Sequence, residues 1–150
     1  MKVEMPKKYL PYIQMLVDSG VYPDVRVALE NVFERGLQET LEDLELEEEG
    51  FPAEPVIDRA FIHGPSIQVA VPSKDEYARD LEYISRCFDM PLSETAKTIL
   101  LYGLCCHRSH LKGSALYDTD PHFRRRVTTM PHCPEEKVLV GAFPDLEAED

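Results

Sequence analysis

The residues best suited to chemistry gather at three places in this 150-residue chain. Cys105-Cys106-His107 puts two thiols beside an imidazole, and His110 follows three residues later. Cys106 and His110 are four apart and share a helix face, and His132-Cys133 would complete a two-Cys, two-His set, which is a zinc-type donor set. The last pair are sequence neighbours without the usual ligand spacing, and His107 competes for the same role. Surface histidines and buried thiols are therefore expected, with no metal and no cofactor. A thiol nucleophile needs an imidazole close in space and a third group to orient it, and no residue pattern marks that arrangement. With no Gly-rich phosphate loop and no nucleophile elbow, an enzyme is not expected either. The third place is Arg124-Arg125-Arg126, after His122-Phe123, which reads either as a basic arm or as a partner for Glu135, Glu136 and the acidic tail.

Charge bounds the function classes. The formal net charge is −12. Residues 39–54 hold eight acids and no Lys or Arg, and the last six residues hold four more acids. Without those twelve, 16 acids face 16 bases, so the excess sits in one connecting segment and one tail. Like-charge blocks are usually solvated, and the remainder is neither a strong magnet for DNA nor barred from it. No stretch approaches the ~18 apolar residues of a membrane span, so no membrane partner is expected. The N-terminus carries Glu4 and lacks a long apolar core, unlike a secretory signal. Adjacent Cys105 and Cys106, with Cys87 in a helical pattern, do not space like a disulfide scaffold. These features point to a cytoplasmic protein with reduced thiols.

The elements that would position such groups repeat. Val3-Glu4-Met5-Pro6 is echoed by Val69-Ala70-Val71-Pro72 at an offset of 66, and the stretch from Val25 to Leu37 by that from Leu92 to Leu104 at an offset of 67. In the second match Val32 aligns with Ile99, Phe33 with Leu100, Gly36 with Gly103 and Leu37 with Leu104. Each copy reads as strand, helix, turn, helix. Lys2 to Met5 alternates polar and apolar, as does Ser66 to Val71, the period of a half-buried strand. Tyr9, Leu10, Ile13, Leu16 and Val17 recur at helical spacing, as do Tyr77, Leu81, Ile84 and Phe88. Ser19-Gly20 ends the first of these helices. Asp24 or Pro23 opens the next, and Ser93 or a near neighbour caps its counterpart, which runs to about His110. Residues 38–49 extend the first copy as an acidic, solvated helix end. The rest, to residue 65, reads as a connector in which Val56–Ile62 is either strand or helix. Residues 111–150, with Pro121, Pro131, Pro134 and Pro144, read as an irregular extension in which Val138-Leu139-Val140 is a candidate docking strand.

The short strand ended by Pro6 or Pro72, the turns around residues 19–26 and 88–95, and the apolar second helix ending in Gly-Leu resemble the ribbon-helix-helix family of Arc- and MetJ-type repressors. The likeness covers residues 2–37 and 66–104, about half the chain. It implies a mainly α fold: a pseudo-dimer with a two-stranded antiparallel ribbon and four core helices. The copies are residues 1–37 and 66–110, with a connector over 38–65 and the extension over 111–150. One strand and two short helices cannot hide their apolar faces alone. Relatives pair as homodimers, whereas here the 28 residues between Leu37 and Ser66 allow pairing within one chain, since each spans up to ~3.3 Å.

In that family the ribbon enters the major groove of double-stranded DNA. The resemblance thus assigns base reading to Lys2, Glu4, Ser66, Gln68 and Ala70: Lys2 to guanine, Gln68 to adenine, Glu4 to the cytosine amino group, and Ala70 to a thymine methyl. Phosphate contacts fall to the second-helix N-termini, at Val25, Ser93 and Thr95, with Lys7, Lys8 and Lys74 alongside. The chain departs from the pattern where Asp24 and Glu94 put negative charge near the phosphate positions and Glu4 puts it on the reading face. The main reading is a sequence-specific transcriptional regulator, with two such chains free to associate as a homodimer of pseudo-dimers. The alternative is a protein-interaction module on the same fold, antitoxin-like or stripped of DNA contacts, that binds a protein through the acidic segment or the C-terminal extension. The polar strand positions are then no more than a solvated face.

Overall fold

A computed structural model describes residues 1–48 and 64–130 of the chain. The described residues are mainly helical, with one two-stranded sheet. Strand β1 (Lys2–Pro6) pairs antiparallel with β2 (Ser66–Ala70), setting Lys2 opposite Ala70, Val3 opposite Val69 and Glu4 opposite Gln68. Alternation dictates the faces: Val3, Met5 and Val69 are buried, while Lys2, Glu4, Ser66, Gln68 and Ala70 are exposed. Met1 and Val71 exchange backbone hydrogen bonds of 2.8 Å in both directions beyond one end of the sheet. Lys7 N–H donates to the Pro65 carbonyl at 2.8 Å beyond the other. A two-stranded sheet is marginal by itself, and here its apolar face joins a single helical core.

A 3-10 turn (Lys7–Tyr9) leads into α1 (Leu10–Asp18), with Pro11 in the first turn, where its missing N–H costs nothing. Tyr9, Ile13 and Leu16 enter the core. Gly20, at φ +80°, closes the helix while Val21 N–H reaches back to Leu16 O at 3.0 Å. Helix α3 (Asp75–Phe88) ends the same way: Asp89 takes φ +51° and Met90 N–H bonds Ser85 O at 3.0 Å. Aspartate is one of the few non-glycine residues that visit this region readily. Asp24 caps α2 (Val25–Glu48), its carboxylate accepting from Val27 N–H at 2.9 Å. No side chain caps α4 (Leu92–Cys106). The expected cap, Ser93, is already inside that helix, and Pro91 occupies the N-cap.

Helices α2 and α4 cross at two glycines. A Cβ on Gly36 would lie 2.0 Å from Ile99 O, and one on Gly103 would lie 1.7 Å from Val32 O. The two contacts are reciprocal, because Val32 and Ile99 stand 67 positions apart, as do Gly36 and Gly103. Only glycine lets two backbones approach this closely. Val32, Phe33, Leu37, Ile99, Leu100 and Leu104 are buried with this crossing in the core cluster. One turn further on, Thr40 Oγ1 donates to Gly36 O at 2.7 Å, and His107 Nδ1 contacts Gly103 O at 2.7 Å, again 67 positions apart.

Two expectations about the later part of the chain need correction. The helix expected to reach His110 stops at Cys106, and α5 (Arg108–Lys112) resumes after His107. The extension expected to be irregular is helical over its described part, as α6 (Ala115–Thr119) and α7 (Pro121–Thr128). Pro121 is a helix start, not a breaker: Asp120 before it accepts from His122 and Phe123 N–H at 3.0 and 3.3 Å. Phe123, Val127 and Met130, on one helical face, are buried with Leu111. The acidic end of α2 is helical as expected but not wholly solvated, since Thr40 and Leu44 are buried. Residues 56–62, His132-Cys133 and 138–140 lie outside the described residues. Among the described residues no helix is long and apolar enough to cross a membrane.

The crossing yields a stability prediction. Gly103→Ala forces methyl against backbone and should cost about 3 kcal/mol or more. Gly113→Ala, whose Cβ would meet Ser109 O at 3.4 Å and His110 O at 3.8 Å, both ordinary contacts, should be nearly neutral. Urea denaturation of both variants measures the difference.

Candidate nucleic-acid interface

The exposed sheet face presents Lys2, Glu4, Ser66, Gln68 and Ala70 together. Since Met1 and Val71 form a doubly hydrogen-bonded pair, alternation makes Lys2–Ala70 and Glu4–Gln68 the non-hydrogen-bonded pairs. Cα atoms in such pairs sit about 4.5 Å apart, with their side chains close. Glu4 thus stands beside the Gln68 amide, which has donors to offer it. Lys2 stands beside Ala70, which offers no competing charge.

The phosphate candidates divide. Lys7 and Lys8 are exposed directly after β1, with Lys8 Nζ 5.1 Å from the Tyr9 ring centre. Ser93 is exposed. Val25 is half-buried, and the Asp24 carboxylate occupies that end of α2. Lys74 is exposed but committed: Nζ is 3.4 Å from a Glu30 oxygen and 5.3 Å from the Tyr77 ring centre. Hydrogen bonding to Tyr77, then Glu30, raises its pKa. Thr95 does not serve the expected role, because it is fully buried and both its N–H and its hydroxyl donate to Pro91 O at 2.9 Å.

The described part of the Cys/His cluster packs into the fold. Cys105 is buried, Cys106 half-buried and Cys87 exposed. Among the described residues no group of three or more His, Cys, Asp or Glu side chains is placed to hold a metal. His107 is buried instead. Because the Gly103 carbonyl can only accept, Nδ1 carries the proton and Nε2 accepts from the Tyr22 hydroxyl at 2.6 Å. Burial lowers the His107 pKa from 6.5 to about 4; the Gly103 carbonyl opposes this, while His110 and Arg35 add to it. Burial also raises the Tyr22 pKa. This pair edges a polar cavity of about 270 Å³ that Asn31, Glu34, Arg35 and His110 also line. Sequence reasoning missed it. The one available signal was that His107 stands 67 positions after Thr40, one turn past its own glycine. In the basic cluster, Arg124 donates to Tyr117 O at 2.9 Å and Asp118 O at 3.0 Å, while Arg125 and Arg126 are exposed.

Comparison of the chain with family models, with curated proteins and with solved structures gives no match.

The His107 environment predicts a pH dependence. The folded chain keeps this imidazole neutral down to about pH 4, whereas the unfolded chain protonates it near 6.5. Stability present above pH 6.5 is therefore lost as pH falls toward 4, by at most about 3 kcal/mol from this group. Unfolding curves of wild type and His107→Gln should converge over that window, and curves that stay parallel would contradict the assignment.

Proposed function

We propose that the chain is a sequence-specific DNA-binding regulator of the ribbon-helix-helix type, with two degenerate copies paired inside one polypeptide. The observation that carries this reading is the β1–β2 register, which gathers five polar or small side chains on one exposed face above a buried apolar one. Val3 stands opposite Val69, its own counterpart at the repeat offset of 66, so an approximate twofold axis falls on that pair. The reciprocal Gly36 and Gly103 contacts follow the same relation. Under it Lys2 corresponds to Gln68, and Glu4 to Ala70. The two halves of the ribbon therefore carry different side chains, and the preferred site is not a palindrome: Lys2 suits guanine on one side and Gln68 suits adenine on the other.

A second reading draws on a specific observation. Asp24 caps α2 where a phosphate would sit, and Glu30 holds Lys74. Both weaken the electrostatic term that usually dominates DNA affinity. A protein-interaction module, binding through the acidic segment or the C-terminal extension, fits those two features.

Binding of the full chain to DNA selected from a random pool separates the readings. The DNA reading expects affinity that falls steeply with salt. It also expects Lys2→Ala/Gln68→Ala to lose discrimination against unselected DNA by ~1–3 kcal/mol per contact, with the fold intact because both side chains are exposed. No binding at low salt rejects it. The protein-partner reading instead expects a co-purifying protein that is lost when residues beyond 130 are removed.

A further inference from the structure

We propose that the outer edge of α7, through Arg125 and Arg126, is a second phosphate-binding surface that flanks the first copy's half of the ribbon. This rests on the DNA reading above. Helix α7 buries Phe123 and Val127, and Met130 just past its end is buried as well, which leaves Arg125 and Arg126 exposed on its other sides. His122, Arg126 and Thr129 fall at i, i+4 and i+7, and so form one row along the helix. That row abuts α1, because Thr129 Oγ1 lies 3.1 Å from the Tyr12 hydroxyl. Tyr12 in turn sits 6.3 Å, centre to centre, from Tyr9, and the Tyr9 ring lies 5.1 Å from Lys8 Nζ. A chain of three contacts thus ties the arginine edge to the lysines that follow β1.

The edge is also held in place and open. Arg124, on the opposite flank, hydrogen-bonds Tyr117 O and Asp118 O and lies 5.7 Å from the Tyr117 ring centre, locking α7 to α6. The Asp120 carboxylate accepts from N–H groups at the far end of the helix. Among the described residues neither Arg125 nor Arg126 is ion-paired. Guanidinium groups match phosphate oxygens in a bidentate fork. This edge offers the positive charge that α2 and α4 lack at their N-termini, where Asp24 and the buried Thr95 stand. The α5–α7 segment follows only the second copy and packs on α1 of the first, so DNA gains these contacts on one flank alone.

The test compares the full-length wild type with Arg125→Gln/Arg126→Gln, using the selected duplex and an unselected duplex across a salt series. The expected result is a log–log salt slope shallower by about two, at ~0.9 per phosphate contact, on both duplexes. Their affinity ratio and the thermal melting should be unchanged. A wild-type slope in the variant overturns the proposal and leaves the ribbon reading standing, as would be seen if the arginines pair with the chain's own acidic tail. A changed affinity ratio overturns it too, by placing the arginines on bases. Failure of the wild type to bind either duplex rejects the DNA reading and this proposal with it.

Discussion

Val3 and Val69 face each other across an antiparallel ribbon, and the rest of the molecule depends on that register. Side chains on a strand alternate between faces, so a slip of one residue would turn Lys2 and Glu4 inward and expose Val3 and Met5. Burial guards against the slip: Met5 is fully buried and Val3 nearly so. What is exposed is then not a free choice. The same register that hides the valines sets Lys2, Glu4, Ser66, Gln68 and Ala70 on one surface.

A two-stranded ribbon cannot sustain this order alone. The support comes from α2 and α4, whose backbones touch at Gly36 and Gly103. Each glycine is needed by the other helix, so neither segment completes its core without its counterpart. The two must therefore meet, and the 28 residues between Leu37 and Ser66 keep them in one chain. Tethering makes that meeting independent of protein concentration. Under the proposed pseudo-dimer reading it also frees the two halves to diverge. Thr40 and His107 bond the carbonyls of Gly36 and Gly103 respectively, equivalent positions in the two helices, but His107 also pairs with a tyrosine from the α1–α2 turn and borders a polar cavity.

The sequence displayed those features that depend on local period. Alternation over Lys2–Met5 and Ser66–Val71 and the stripes Tyr9–Ile13–Leu16 and Tyr77–Leu81–Ile84 marked their positions correctly as strand or core, and the aligned glycines fall where the two helices cross. What escaped depends on distant partners or on ambiguous punctuation. His107 gains its role from Tyr22, 85 positions away. Lys74 is claimed by Glu30 from another helix. The Thr95 hydroxyl turns back on Pro91, so its one donor is not available to a phosphate. Pro121 reads as a break until Asp120 and the Phe123–Val127–Met130 face are weighed together; then it reads as the start of α7.

The proposed architecture requires the ribbon to form inside one chain. It predicts NMR cross-peaks between the α-protons of Lys2 and Ala70, and of Glu4 and Gln68, which lie close in non-hydrogen-bonded antiparallel pairs. In a mixture of isotope-labelled and unlabelled full-length protein, those peaks should arise wholly within labelled chains and persist at dilutions where the protein is monomeric. Their absence, or their appearance only between labelled and unlabelled chains, would contradict it.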